Sequence, residues 1–331
     1  MAIGKASDMV IYQEEFQSGV VERVTQFLQV FNEGTRGAIR LIPHALKGDY
    51  SKGAFFKDVA SLVTRRDTTS VASATDLAMT QGEVISVKLN RKVGPVAQTL
   101  DAIKKAGLSQ AEASRAFGQL AGDRKMKDMV DSALKAVATA IAATSAMVSD
   151  VSVTTGTKIP ASPTQLNTAL ALFGDAASDV VCWVAHSRPN FDIIGGLLTS
   201  STAGLGDVAV IQGALPSYLG RPAIITDSSA LTFTDTFVKY RTLGLVRDAV
   251  IVEESEPESF ATDIVTGLEN LVQRWQSEHA YNVQCKGYKW DTTNGGSNPD
   301  DTALTTTTNW DKVAYDNKLT PGVLLITNAA A

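Results

Sequence analysis

SYLGRPAIITDSSAL, residues 217–231, is the stretch whose reading decides the fold. Its apolar run, PAII at 222–225, followed by Thr226, Asp227 and Ser228, has the form of a buried α/β-enzyme strand with catalytic side chains at its carboxyl end. Any strand that closes in a turn has the same form, because Asp and Ser bond their own backbone there. The choice rests on whether a base, a nucleophile or a ligand set accompanies these residues.

The neighbouring motifs supply none. Gly204-Leu205-Gly206-Asp207-Val208-Ala209 fits G-x-G-x-x-G/A, but that pattern holds a dinucleotide only after a strand and at the start of a helix. Here a loop, Thr199, Ser200, Ser201 and Thr202, comes before it and the strand-like GDVAVIQG (206–213) overlaps it. The histidines His44, His186 and His279 are the candidates for a base near neutral pH. His186-Ser187 with Asp192 has the residue types of a triad, yet there is no G-x-S-x-G elbow, and Ser187 before Arg188-Pro189 reads as an N-cap. No H-E-x-x-H, phosphate-binding loop or clustered Asp/Glu metal site appears. Asp227 and Ser228 therefore read as turn residues, with no catalytic, cofactor or metal site.

Composition narrows the classes further. The 331 residues suffice for two or more domains, and 44% hydrophobic with 20% charged residues is the balance of a globular chain. Thirty Lys and Arg against 35 Asp and Glu give −5, which excludes a dedicated nucleic-acid binder living on phosphate contacts. Cys182 and Cys285 sit in apolar or alternating runs and read as small buried hydrophobes. The N-terminus lacks a signal-peptide core, and no run approaches the ~20 apolar residues of a membrane span. A cytoplasmic protein, or one leaving the cell by a route other than secretion, is expected.

Outward from the opening stretch, the elements are those of a scaffold. Val20, Val24, Phe27, Leu28 and Phe31 mark an isolated amphipathic helix ending at Asn32-Glu33-Gly34. GAIRLIPHALKGDY (37–50) and GEVISVKLNRK (82–92) read as two long strands of a projecting arm, with the polar TRRDTTSVASATD (64–76) between them. Ser109-Gln110-Ala111-Glu112 is a capping box. It opens a long helix with Met126, Met129, Val130, Ala133, Leu134, Val137 and Ile141 on one stripe, and Gly118 and Gly122 predict a break or kink in its first turns. Ser162-Pro163 starts another helix and Gly174 closes it. DVVCWVAHS (179–187), SRPNFDIIGGLL (187–198) and the opening stretch then make a compact α/β unit up to about residue 250.

Six stretches in order carry a resemblance. They are GAIRLIPHALKGDYSKGAFF (37–56), SLVTRRDTTS (61–70), ISVKLNRKVGPVAQTLDA (85–102), VCWVAHSRPNFD (181–192), LPSYLGRPAIITDSS (215–229) and GYKWDTTNGGSNPDDTALTTTTNWDKV (287–313). Together they resemble the major capsid (coat) proteins of tailed bacteriophages with the Hong Kong 97-type fold. The resemblance implies an α+β fold with an N-terminal arm (1–36), an extended β-hairpin loop (37–92) and a peripheral domain with the spine helix (93–160). An axial α/β domain (161–250) and a return to the peripheral domain with the C-terminal segment (251–331) complete it. It implies self-assembly into hexamers and pentamers of an icosahedral head shell around double-stranded DNA, contacted non-specifically. The implied partners are the portal and a separate scaffold or decoration protein, with no membrane, in a virion assembled in the host bacterial cytoplasm. The alternatives are an encapsulin-like compartment shell of the same fold, or an α/β enzyme with a site not recognised.

The subunit-interface candidates are chosen by charge. Arg65, Arg66 and Asp67 lie in the polar segment, and Arg221 is placed to pair across a subunit boundary. Lys88, Arg91 and Lys92 end one arm strand, while Glu253, Glu254, Glu256 and Glu258 form the acidic run EESEPE (253–258). Each cluster is one-signed, so the two are expected to meet between neighbouring subunits.

Overall fold

The computed structural model describes residues 32–42, 50–56, 63, 65–66, 68–69, 73, 76–79, 81–107, 109–200 and 217–329. The stripe from Val20 to Phe31, the glycine motif at 204–209, the strand expected at 206–213, His44 and Asp67 lie outside these residues.

The first strands divide what the sequence joins. β1 (Ile39–Ile42) buries Ile39 and Leu41, β2 (Lys52–Phe56) pairs antiparallel with β3 (Gln81–Ile85), and β4 (Val87–Thr99) follows after Ser86. GEVISVKLNRK is therefore two strands in two sheets, not one arm strand. Val87, Lys88 and Leu89 are all buried, so the start of β4 is covered on both faces and belongs to the body.

The spine helix runs unbroken over Gln110–Ala142. At ~1.5 Å per residue its 33 residues reach about 50 Å. Its capping box is formed: the Ser109 hydroxyl accepts from the Glu112 amide at 3.2 Å, and the Glu112 carboxylate accepts from the Ser109 amide at 2.8 Å. The expected break at Gly118 and Gly122 does not occur. Both glycines are buried, and tertiary packing of a face offsets the ~1 kcal/mol that each loses in helix propensity.

Beyond the helix, β5 (Val148–Asp150) precedes the helix Pro163–Ala171, which Ser162 caps, and β6 (Val180–Ala185) precedes the helix Ser187–Ser200. The opening stretch folds as a hairpin. β7 (Ser217–Tyr218) and β8 (Arg221–Ile225) are antiparallel around Leu219 and Gly220, whose φ values of 52° and 76° suit the tight turn that twisted strands favour. Ser228 then caps a single 3-10 turn, Ser229–Leu231.

β9 (Thr232–Thr234) and β10 (Val238–Val246) lead into two long strands, β11 (Val250–Val265) and β12 (Val272–Cys285). β13 (Tyr288–Trp290) pairs with β14 (Trp310–Lys312), where Trp290 and Trp310 meet edge to face at 5.1 Å, and β15 (Gly322–Asn328) ends the fold. Two main sheets result, β1-β11-β12-β4 and β5-β15-β10-β6-β8-β7, with β9 on β10. The second sheet draws β5 and β15 from outside residues 161–250, so the α/β unit is not closed by its own segment. One core cluster links both sheets to the helix through Leu134, Val137 and Ile141.

Candidate functional site

The strongest concentration of paired side chains lies under the spine helix. Alternation along β12 turns Trp275, Ser277, His279 and Tyr281 to one face, and Ser114, Phe117, Ala121, Lys125, Asp128 and Ser132 recur every three or four residues on the helix above. Trp275 donates to the Ser114 hydroxyl at 3.3 Å and stacks on Phe117. The Tyr281 hydroxyl lies 2.6 Å from Asp128 and 2.9 Å from the Ser132 hydroxyl. Arg91 on β4 donates to Asp128 at 2.9 Å, to Ser132 at 3.2 Å and to Asp301 at 3.3 Å. Lys135 holds Asp301 at 2.8 Å and Asp131 at 2.7 Å, and Asp131 accepts a hydrogen bond from the Ser228 hydroxyl. This chain of contacts ties β4, β12, the helix and the end of the opening stretch together.

Burial disfavours charge on Arg91, but Tyr281 and Asp128 outweigh it and hold the guanidinium above its usual pKa. Burial likewise opposes the Lys135 ammonium, and hydrogen bonds from Asp131 and Asp301 raise it nonetheless. The hydrogen bond from Lys135 holds the Asp301 carboxyl below the usual range. His279, buried beside Lys125 and Arg91, is pushed down to about 3, chiefly by loss of water and then by the two cations.

The charge clusters chosen from sequence meet inside one chain. Lys88 reaches Glu256 at 2.6 Å, and Lys125 reaches Glu254 at 2.5 Å and Glu258 at 3.6 Å. Within the chain, Lys88, Arg91, Glu254, Glu256 and Glu258 each already have a partner of opposite charge, Arg91 with Asp128 and Asp301. The reason is topological: β4 and β11 flank β12 in one sheet, and Lys125 of the helix stands over it. Lys92 lies opposite Glu278 on β12, and Glu253 lies between Ile42 and Asn282. Arg65 and Arg66 are exposed. Arg221 is also used internally: it donates to the carbonyls of Val180 at 2.6 Å and Ala177 at 2.8 Å, locking the hairpin to β6. Lys125, Asp128, Ser132, Tyr281 and Asp301 escaped the sequence reading, although polar residues recurring along an apolar stripe were their signal.

The enzyme-like residues have other work. Asp227 accepts from the Ser187 amide at 3.3 Å and His186 accepts from the Arg188 amide at 3.2 Å, so these two cap the helix and Ser187 is its first residue rather than its cap. Asp192 pairs with Arg188, not with His186. A cleft of about 440 Å³ opens at the carboxyl ends of β6 and β8, walled by Val130, Leu134 and Ile224 with Asp131, Asp227 and Ser228 beside it. Among the described residues no group of three His, Cys, Asp or Glu is arranged to hold a metal ion. No helix among them is long and apolar enough to cross a membrane.

The sequence profile of a family described as major capsid protein 13-like matches residues 8–324. The chain belongs to this family. No curated protein matches it in sequence. The capsid of Ralstonia phage GP4 shares the fold at TM-score 0.51 and 12% identity, over 89% of this chain and 88% of that one. The capsid asymmetric unit of cyanophage Pam1 does so at 0.50 and 13%, over 86% of each chain. The capsid of phage XM1 does so at 0.50 and 9%, over 89% and 90%. The fold is the Hong Kong 97-type fold of tailed-phage capsids. This capsid protein is a structural component of the virion, building the head shell by self-assembly, and not an enzyme.

Proposed function

We propose that this capsid protein closes an icosahedral shell of hexamers and pentamers around double-stranded DNA, assembled in the host bacterial cytoplasm with a portal and either a separate scaffold or none. The family match over residues 8–324 carries the reading. Residues 1–36 act as an arm, and the part of 37–92 that carries β2 and β3 acts as an extended loop between β1 and β4, which belong to the body. The seven-stranded sheet forms most of the axial part, and the four-stranded sheet with the spine helix forms the peripheral part. Contacts between subunits are individually modest, and ring closure multiplies them, so errors dissolve before the shell is complete. The net charge of −5 supports a loose inner contact with DNA, since tight phosphate binding would hinder packaging. Arg65, Arg66, Asp67, Lys88, Arg91, Lys92, Arg221, Glu253, Glu254, Glu256 and Glu258 are the candidates for contacts between copies, of which Lys88, Arg91, Arg221, Glu254, Glu256 and Glu258 also have partners within the chain.

Electron microscopy of the purified protein, alone and co-expressed with a portal and scaffold, tests this. Closed shells with five-fold and six-fold capsomers are expected, with DNA inside those that carry a portal. Tubes or single rings under both conditions would overturn the icosahedral assignment, and closed shells that carry a portal but never take up DNA would overturn the packaging role.

A further inference from the structure

The spine helix rests on two unlike footings. Leu134, Val137 and Ile141 lie in the main core at 1% exposure or less. The main core also holds Met126, 1% exposed, and N-terminal to it the helix meets a small second cluster, where Ala121 packs with Val93, Phe117 and Phe260. Between the two runs the charged band, and there the sheet face is polar: Gln273, Ser277 and His279 are buried at 5% exposure or less. The Oε1 of Gln273, the Oγ of Ser277 and both ring nitrogens of His279 have no hydrogen-bond partner in the protein. Buried polar atoms in this condition take water or carry a desolvation penalty.

His279 is surrounded by charge from every element packed on it. Arg91 is its cross-strand neighbour on β4, and Lys125 and Asp128 come from the helix. From β11 come Glu254 and Glu258, both bound to Lys125, and Glu256. On its own strand Tyr281 stacks at 6.2 Å between ring centres, and Glu278 lies next in sequence. A recess of about 520 Å³, lined by Arg91, Lys92, Glu256, Glu278 and His279, opens at this level of the sheet, while both imidazole nitrogens stay buried.

We propose that this band is an acid-operated seam: a proton taken up by the buried, unpartnered His279 as the seam opens adds a third positive charge beside Arg91 and Lys125. The outer part of the spine helix then parts from the sheet while the inner part stays docked. Geometry sets the division, because only the inner part has a large apolar footing. The sign follows from linkage. A ring held at about 3 in the closed seam and at ~6.5 when open to water binds fewer protons closed, so closure is favoured above ~6.5 and weakens as pH falls toward 3.

Deuterium exchange of the intact chain, read by mass spectrometry at about pH 7 and about pH 5 and corrected for intrinsic exchange, tests the seam. Amides of residues 114–125 and 273–282 are expected to open roughly tenfold more at the lower pH, with residues 134–142 and 322–328 unchanged. A uniform response along the helix, or none, overturns the proposal. His279→Met keeps an apolar side chain there and removes the titrating ring, so the acid response should vanish; a response equal to wild type would assign it to carboxylates and overturn the proposal. Should His279→Met not fold, exchange at the ring carbon between the two nitrogens in the wild-type chain decides. Titration far below that of a free imidazole supports the seam, and titration near 6.5 overturns it.

Discussion

Lys88 and Glu256 close an ion pair of 2.6 Å within one chain, the Lys88 side chain only 6% exposed and the Glu256 side chain 59%. The two ends are therefore not equivalent. Glu256→Gln leaves a buried ammonium short of its counter-charge and should lower stability by about 1–2 kcal/mol, between the values for exposed and fully buried pairs. Lys88→Met removes the charge while filling its space and should lose less. Urea midpoints of the two variants check this, and the reverse order would show that Lys88 is effectively solvated.

Glu254→Lys sets a second cation against Lys125, whose side chain is 5% exposed. A loss of about 3 kcal/mol in the subunit is expected, with partial recovery when Lys125→Glu is added. Chemical denaturation of the unassembled chain gives the answer. A subunit of unchanged stability that fails only in shell formation would return the pair to an interface role.

Leu134 is 1% exposed in the main core. Leu134→Ala should cost about 2–5 kcal/mol through the cavity it leaves, and Leu134→Asp should give insoluble chains by burying an unpaired charge. Recovery of soluble protein after expression checks the second, and thermal melting the first.

Gly322 stands where β15 passes β10 most closely: a Cβ there would lie 2.0 Å from the Gly244 carbonyl oxygen, a backbone atom that cannot swing away. Gly322→Ala should lower stability by about 3 kcal/mol or more. Gly107, with φ of +74° and open space around it, should lose only about 1–2 kcal/mol on the same change. Equal melting temperatures for the two variants would contradict the close approach.

Cys182 and Cys285 are both buried, and burial raises both thiols, Cys182 to about 12. Neither should react with a thiol reagent in the native chain at neutral pH, and both should react together on unfolding. Labelling by mass spectrometry across a urea series would detect the coincidence with the unfolding transition. Modification below that transition would reveal local opening.

Several features could be read before folding because their signals are local. The capping box at Ser109 and Glu112, the proline start at Pro163, and the helical stripe through Leu134 each rest on residues within one or two turns. At Gly118 and Gly122 propensity predicts a kink in the long helix, and burial against the sheet overrides it. The charged run EESEPE was also visible, but its partners were not. Lys88 lies 168 residues from Glu256, and Lys125 lies 129 from Glu254.

By itself the sequence determined the capped helix starts at Ser109 and Ser162, the apolar stripe of the spine helix and the buried thiols. All of these follow from backbone sterics and side-chain chemistry acting over a few residues. The tertiary structure alone decided that β4 joins the body, that Arg221 binds the carbonyls of Ala177 and Val180, and that opposite charges meet within the chain. A sheet aligns strands regardless of their separation in sequence, and a charge that finds its partner there leaves no trace of it in the residues on either side.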